Sequence, residues 1–311
     1  MKILITGGFG FIGSHLSEAL IKNHQIILLS RSKNKWKNIE NIAKKVIIEY
    51  VDITNFRKLE NCIKKHNPDM IIHLAGETSH SRSFENPLND IDTNTKSTVA
   101  ILESIRKHNP KCKFILGSTF IVIGKPKKLP VTEETPCLPT TVYGTNRLSS
   151  ETFCKIYHNV YGLKTIVFRI TNSFGPREQI IPNKNAINYL IYRAFSNQEI
   201  TIFNEGKFFR DLIYISDVVD AIKIIIRKGK VGETYWISSG KKIWFSKLGK
   251  LLEKNTSAVV KFTPTPKYTK KVDVGNFIVD NSKLRKLGWI PKISIESGIR
   301  KTLDYFHSQK L

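Results

Sequence analysis

The residues that first invite a chemical reading form a glycine cluster. Residues 6–13 read Thr-Gly-Gly-Phe-Gly-Phe-Ile-Gly. They follow an apolar run, Lys2–Thr6, and open a segment with helical spacing. In that context glycines cradle a pyrophosphate. Gly7 permits a tight turn, Gly10 removes a Cβ where the phosphates approach, and Gly13 lets helix and strand pack closely. From Phe11 and Ile12 onward the helix start offers backbone N–H groups to the anion. The pattern predicts a bound dinucleotide. Its type depends on the end of the second apolar run, where an acid would hold the adenosine 2′-hydroxyl. This chain has Ser30-Arg31-Ser32-Lys33 there. An arginine in place of the acid suits a 2′-phosphate, so the residues lean to NADP and leave NAD open. Asp52, followed by Ile53, is placed to meet the adenine amine, or to cap the segment that follows.

Such a site needs elements that hold it. Lys2–Thr6, Gln25–Ser30, Val46–Val51, Met70–Leu74, Lys113–Gly117 and Thr165–Ile170 are rich in Ile, Val and Leu on successive positions. Strands buried on both faces read that way. Amphipathic stretches lie between them, among them Ser14–Lys22, Thr95–His108 and Asn146–Tyr161. The alternation predicts an α/β fold with a doubly wound parallel sheet and right-handed crossovers. After about residue 171 prolines break the chain into shorter pieces. We expect a Rossmann domain from residues 1–172 and about 212–240, and a smaller substrate-binding lobe from 173–211 and 241–311.

Composition sets limits. With 311 residues, 41% of them apolar, the chain can bury a full core. No apolar run approaches the ~20 residues of a membrane span, and the first apolar run is too short for a signal peptide. Cys62, Cys112, Cys137 and Cys154 are scattered without metal or redox spacing, which suits a reducing cytoplasm. His15, His24, His66, His108 and His158 show no metal spacing either, so no metal is expected. The net charge of +24 is spread along the chain rather than gathered in a tail. A nucleic-acid partner is therefore not expected, although phosphate-bearing substrates would be attracted.

Further motifs resemble one known family nearly end to end. His73-Leu74-Ala75-Gly76 resembles an HLAA segment, and Asn94 matches an asparagine in the next helix. Ser118-Thr119, then Gly124-Lys125-Pro126, resembles a serine/threonine catalytic segment. Tyr143-Gly144-Thr145-Asn146-Arg147 stands where a YxxxK motif would be. Phe168 to Asn172, with Gly175-Pro176-Arg177, is similar to LRxxNxxGPR. Arg210-Asp211 through Asp217-Val218 is similar to RDFxxVxDV, and Asp280 with Leu287-Gly288-Trp289 resembles the closing segment. The family is the extended short-chain dehydrogenases, the NAD-dependent epimerase/dehydratase family.

The resemblance implies that Thr119, Tyr143 and Arg147 are catalytic, and that Leu74, Ala75, Gly76 and Asn94 line the dinucleotide. It also implies that Asn172, Arg177, Arg210, Lys270 and Asp273 meet a nucleotide-sugar substrate. Tyr143 would take the sugar hydroxyl proton as hydride leaves for the nicotinamide. A phenol has a pKa of about 10, so acting as a base near neutrality costs about 4 kcal/mol of stabilisation of its anion. A neighbouring cation supplies part of that, and position i+4 of a helix lies on the same face. The family has lysine there; this chain has Arg147, which keeps the charge in a planar, permanently protonated group. Ile123 replaces a tyrosine, and Phe120-Ile121 replaces the Asp-Glu pair that dehydratases use to eliminate water. The reading that follows is a UDP-sugar C4 epimerase of polysaccharide biosynthesis. Two alternatives are an NADPH-dependent keto-sugar reductase and a non-catalytic dinucleotide- or RNA-binding member of the fold. A homodimer is expected through the apolar faces Val99, Leu102, Ile105 and Phe153, Ile156, Val160.

Overall fold

The computed structural model describes residues 1–181, 186–266 and 271–309. Seven parallel strands form its main sheet: β1 (Lys2–Thr6), β2 (Gln25–Ser30), β3 (Ile47–Tyr50), β4 (Met70–His73), β5 (Lys113–Thr119), β6 (Thr165–Ile170) and β10 (Thr234–Ile237). Their order is β10-β6-β5-β4-β1-β2-β3, the doubly wound arrangement expected.

Alternation along each strand sends apolar side chains to both faces. Ile3, Ile5, Ile26, Leu28 and Ile72 face one side, where α1 (Phe11–Leu20) packs with α8 (Ile215–Lys228). Leu4, Ile27, Leu29, Ile71, Phe114 and Leu116 face the other, beneath α2 (Phe56–His66), α5 (Ser97–His108) and α6 (Val142–Tyr161). Between β4 and α5 lie the short helices α3 (His80–Glu85) and α4 (Pro87–Asp90) and a wide π-helical turn, Ile91–Lys96.

β1 and β4 are neighbours from which the chain departs in opposite directions, so their carboxyl ends frame a crevice. Thr6 and His73 pin its floor, Oγ1 to Nδ1 at 2.7 Å. Thr6 Oγ1 also accepts the N–H groups of Leu74 and Ala75, each at 3.1 Å. The lining of the crevice is thus set by hydrogen bonds from β1.

The rest of the chain forms smaller sheets. β9 (Phe209–Tyr214) lies between β7 (Asn172–Phe174), parallel to it, and β11 (Lys242–Trp244), antiparallel. β8 (Ile200–Phe203) pairs with β12 (Val260–Thr263), with α7 (Ala186–Phe195) and α9 (Phe245–Asn255) against them.

One element differs from its expected span in a way that matters. α6 begins at Val142 rather than Asn146. Thr141 accepts the N–H of Gly144 at 3.0 Å and starts the helix four residues early. Tyr143 and Arg147 therefore share one helical face.

Candidate active site

Gly7 turns the chain after β1 with φ +68°, and a Cβ there would press to 2.9 Å from the backbone nitrogen of Ala75. A Cβ on Gly13 would strike the carbonyl of Gly7, so helix and loop could not approach as they do. Gly10 is the N-cap of α1 and has no side chain to satisfy the helix's first N–H groups. Phe11 and Ile12 supply those donors. This open, positive helix end suits an anion.

At the edge of the crevice Ser30 Oγ is held by the carbonyl of Ser32 at 2.8 Å, and Arg31 is exposed. Asp52 departs from its expected capping role. Its Oδ1 takes the N–H and hydroxyl of Thr54 at 2.9 and 2.8 Å, while Asn55 caps α2. Asp52 is exposed and Ile53 buried, so only the former offers a polar group to an adenine.

The catalytic candidates come together at the far end of the crevice. Thr119 ends β5, and its side chain hydrogen-bonds Tyr143. Arg147, 4% exposed, donates from Nη1 to Asn94 Oδ1 at 3.4 Å. Asn94 in turn donates to the carbonyl of Glu77 at 3.1 Å. A Cβ on Gly76 would collide with Asn94 Oδ1, so Gly76, Asn94 and Arg147 interlock. Arg147 Nε is buried with no hydrogen-bond partner among the described residues. An unpaired buried donor is costly, and here it lies one helical turn from Tyr143. The uncapped end of α1 and this unpartnered donor are features that a dinucleotide would fit.

The electrostatics depart from expectation in one respect. Burial pushes the Tyr143 phenol above its ordinary value. Arg147 and the Thr119 bond pull it down, while Asp90 and Glu77 push it up. Protein charge alone therefore does not prime the phenol.

The substrate candidates divide. Arg210 Nη2 meets Asp273 Oδ1 at 2.5 Å, and Nη1 reaches the carbonyls of Phe209 and Gly275. Asn172 opens β7 with a buried Nδ2 that has no partner among the described residues. Arg177 lies in a left-handed turn with φ +68°, its Nη2 on Glu18 of α1 at 2.7 Å. Nη2 ties the loop to α1, while Nη1 is buried with no hydrogen-bond partner among the described residues. Lys270 lies outside the described residues.

Sequence reasoning missed three side chains. His80 stacks on Tyr143, ring centroids 5.6 Å apart at 27°. Asp90 is 1% exposed and takes Asn146 Nδ2 at 2.7 Å. Glu77 accepts the N–H groups of Thr78 and Ser79 at 2.9 and 3.0 Å and so fixes the loop before His80. None belongs to a spacing pattern, although the polar run Glu77–His80 directly after a buried strand was a signal. Away from the crevice, Glu49, Cys62 and His66 cluster within 4.8 Å. Glu49 is already paired with Lys65 at 2.7 Å and His66 at 2.6 Å.

Comparisons with known proteins agree with this geometry. A family model described as GDP-mannose 4,6 dehydratase matches residues 4–302. A putative UDP-glucose 4-epimerase of Methanocaldococcus jannaschii is 30% identical over 306 residues, covering 97% of each chain. A dTDP-glucose 4,6-dehydratase of Salmonella typhimurium is 30% identical over 345 residues, covering 98% of this chain and 92% of that one. A UDP-glucose 4-epimerase from Thermotoga maritima, solved with UDP-glucose, superposes with a TM-score of 0.92 at 30% identity over the whole of both chains. Epimerases and dehydratases both stand among the relatives, and the overall fold agrees with both. The chain belongs to the extended short-chain dehydrogenases, in the NAD-dependent epimerase/dehydratase family.

Proposed function

We propose that this protein epimerises C4 of a nucleotide-diphosphate sugar, a UDP-sugar in the first instance, by oxidation and re-reduction on a bound NAD or NADP. The observation that carries the reading is the grouping of Thr119, Tyr143 and Arg147 beside a turn, Phe120–Ile123, that has no carboxyl. An elimination needs an acid for its leaving hydroxyl, and Phe120 instead packs edge-on against Phe277 at 5.0 Å.

The bound dinucleotide supplies a hydride acceptor that later returns the hydride. Tyr143 takes the proton of the C4 hydroxyl and gives it back when the carbonyl is reduced, so no net reductant is consumed. Thr119 holds the reacting oxygen. Arg147 stabilises the phenolate and, from its unpaired Nε, the ribose. Arg210 and Asn172 hold the diphosphate, with Asp273 on the nucleoside. This reading keeps residues 1–172 and about 212–240 as the dinucleotide domain, with β10 in its sheet, and residues 173–211 and 241–311 as the substrate lobe; β9 straddles the boundary. It also places the protein in the cytoplasm and in polysaccharide biosynthesis.

A second reading, an NADPH-dependent keto-sugar reductase, is favoured by Ser30-Arg31. Reductant stoichiometry separates the two. Purified protein given UDP-glucose or UDP-galactose should interconvert them with no added reductant. Turnover only with equimolar NADPH, and only of a keto sugar, would establish the reductase instead.

A homodimer is part of the proposal, with one correction. Leu102 and Ile105 of α5 are buried within the chain, against the sheet and α2. Ile156 and Val160 of α6 are exposed, at 43% and 66%, so α6 is the side to pair.

A further inference from the structure

Among the described residues one side chain, His80, is stacked on the proposed base and has no role in the proposed reaction. His80 opens α3, where Ser79 accepts the N–H of Arg82 at 3.4 Å and Glu77 fixes the preceding turn. Its ring covers that of Tyr143, 5.6 Å between centroids and 27° from parallel. Asp273, which is paired with Arg210, is close enough to act on the imidazole charge. His80 is thus in contact with the proposed base and within electrostatic reach of the proposed diphosphate clamp. A hexose with C4 at Tyr143 would come within reach of an imidazole stacked on that phenol.

We infer that His80 is a sugar-reading residue: its imidazole, stacked on Tyr143, hydrogen-bonds a hydroxyl of the hexose. The inference rests on the nucleotide-sugar reading and adds a substrate contact to it. Burial holds the imidazole below its ordinary pKa, and no hydrogen bond to a described residue acts on it. A neutral imidazole has one N–H donor and one nitrogen acceptor, a pair matched to a sugar hydroxyl, which also donates and accepts. The imidazole is half-buried beside the proposed base, where a sugar hydroxyl would come within its reach. The stack also limits ring rotation, so the sugar contact and the aim of Tyr143 are set together.

Two variants separate reading from packing. His80→Phe keeps the aromatic stack and removes both nitrogens; His80→Gln keeps polar atoms and removes the stack. Affinities for UDP and UDP-glucose are measured by calorimetry on the full chain loaded with dinucleotide. In His80→Phe the ratio of UDP-glucose to UDP affinity should fall about fivefold to tenfold, the worth of one neutral hydrogen bond, with UDP affinity unchanged. KM for the sugar should rise in step, and His80→Gln should recover part of the ratio. An unchanged ratio in His80→Phe, or equal loss for UDP and UDP-glucose in both variants, overturns the inference. If wild-type protein binds neither ligand, the nucleotide-sugar reading itself fails; if wild type binds and turns over UDP-glucose while His80→Phe matches it, only the role of His80 fails.

Discussion

At the residue scale the account turns on a phenol that its own surroundings do not prime. Burial outweighs Arg147 and Thr119 in raising the Tyr143 pKa; on the proposed function a positive nicotinamide beside it would lower it. Charge near Tyr143 is then the quantity that matters, and Arg147→Lys, which preserves it, should keep kcat within about tenfold. Arg147→Met should lower kcat about 100-fold and move the acid limb of the pH–rate profile to higher pH, the sign expected when a cation leaves a group that must ionise. A profile unchanged in Arg147→Met contradicts the assignment. Arg31 is tested by dinucleotide affinity: Arg31→Asp should weaken NADP by about tenfold or more and spare NAD. Equal effects on both would show that Arg31 reads no 2′-phosphate. The glycines and the Tyr143–Arg147 spacing were legible because turn geometry and helix period demand particular residues at particular offsets. His80, Glu77 and Asp90 were not, because a loop and buried side-chain bonds position them without leaving a period.

At the element scale two features hold the site. Arg169 of β6 meets Glu151 of α6 at 2.7 Å, both buried, and Ser118 of β5 donates to the same carboxylate. This anchors the helix that carries Tyr143. Glu151→Ala strands a buried guanidinium and should cost about 3–5 kcal/mol in urea unfolding. A loss below about 1 kcal/mol would show that the pair does not anchor α6.

His73 is the other feature. Burial first, then Arg147, lowers its pKa to about 3 from an ordinary 6.5. A base depressed in the folded state contributes stability above its unfolded pKa and loses it as pH falls toward 3, at about 1.4 kcal/mol per pH unit. Asp211, raised to about 6 from 3.8, acts oppositely, losing stability as pH rises through that range. The informative comparison is therefore between proteins. From pH 6.5 down to pH 4, His73→Gln should lose less stability than wild type; equal slopes by chemical denaturation would refute the buried neutral imidazole. β1, β2 and β6 have the boundaries that unbroken apolar runs implied. The start of α6 escaped because Thr141, a cap, is one of several hydroxyl residues in that stretch and only its bond to Gly144 marks it out.

At the scale of the whole molecule, the doubly wound sheet was the most legible feature, since strands buried on both faces must be apolar throughout. The path after residue 171 was less so. β7 and β11 are three-residue strands paired with β9 across long separations, and nothing local announces their partner. The exposed Ile156 and Val160 make assembly testable. Ile156→Asp with Val160→Asp should turn a dimer into a monomer by light scattering, without changing the circular dichroism spectrum. A wild-type monomer would remove the dimer from the account.

The central claim is that hydride leaves C4 of the sugar and comes back to it. The direct measurement is turnover of UDP-glucose deuterated at C4, with the product examined by NMR and mass spectrometry. The account predicts UDP-galactose with deuterium retained at C4, formed by wild type and reduced about 100-fold or more in Tyr143→Phe. Deuterium lost to solvent or carried to another carbon, or an undiminished rate in Tyr143→Phe, would contradict it.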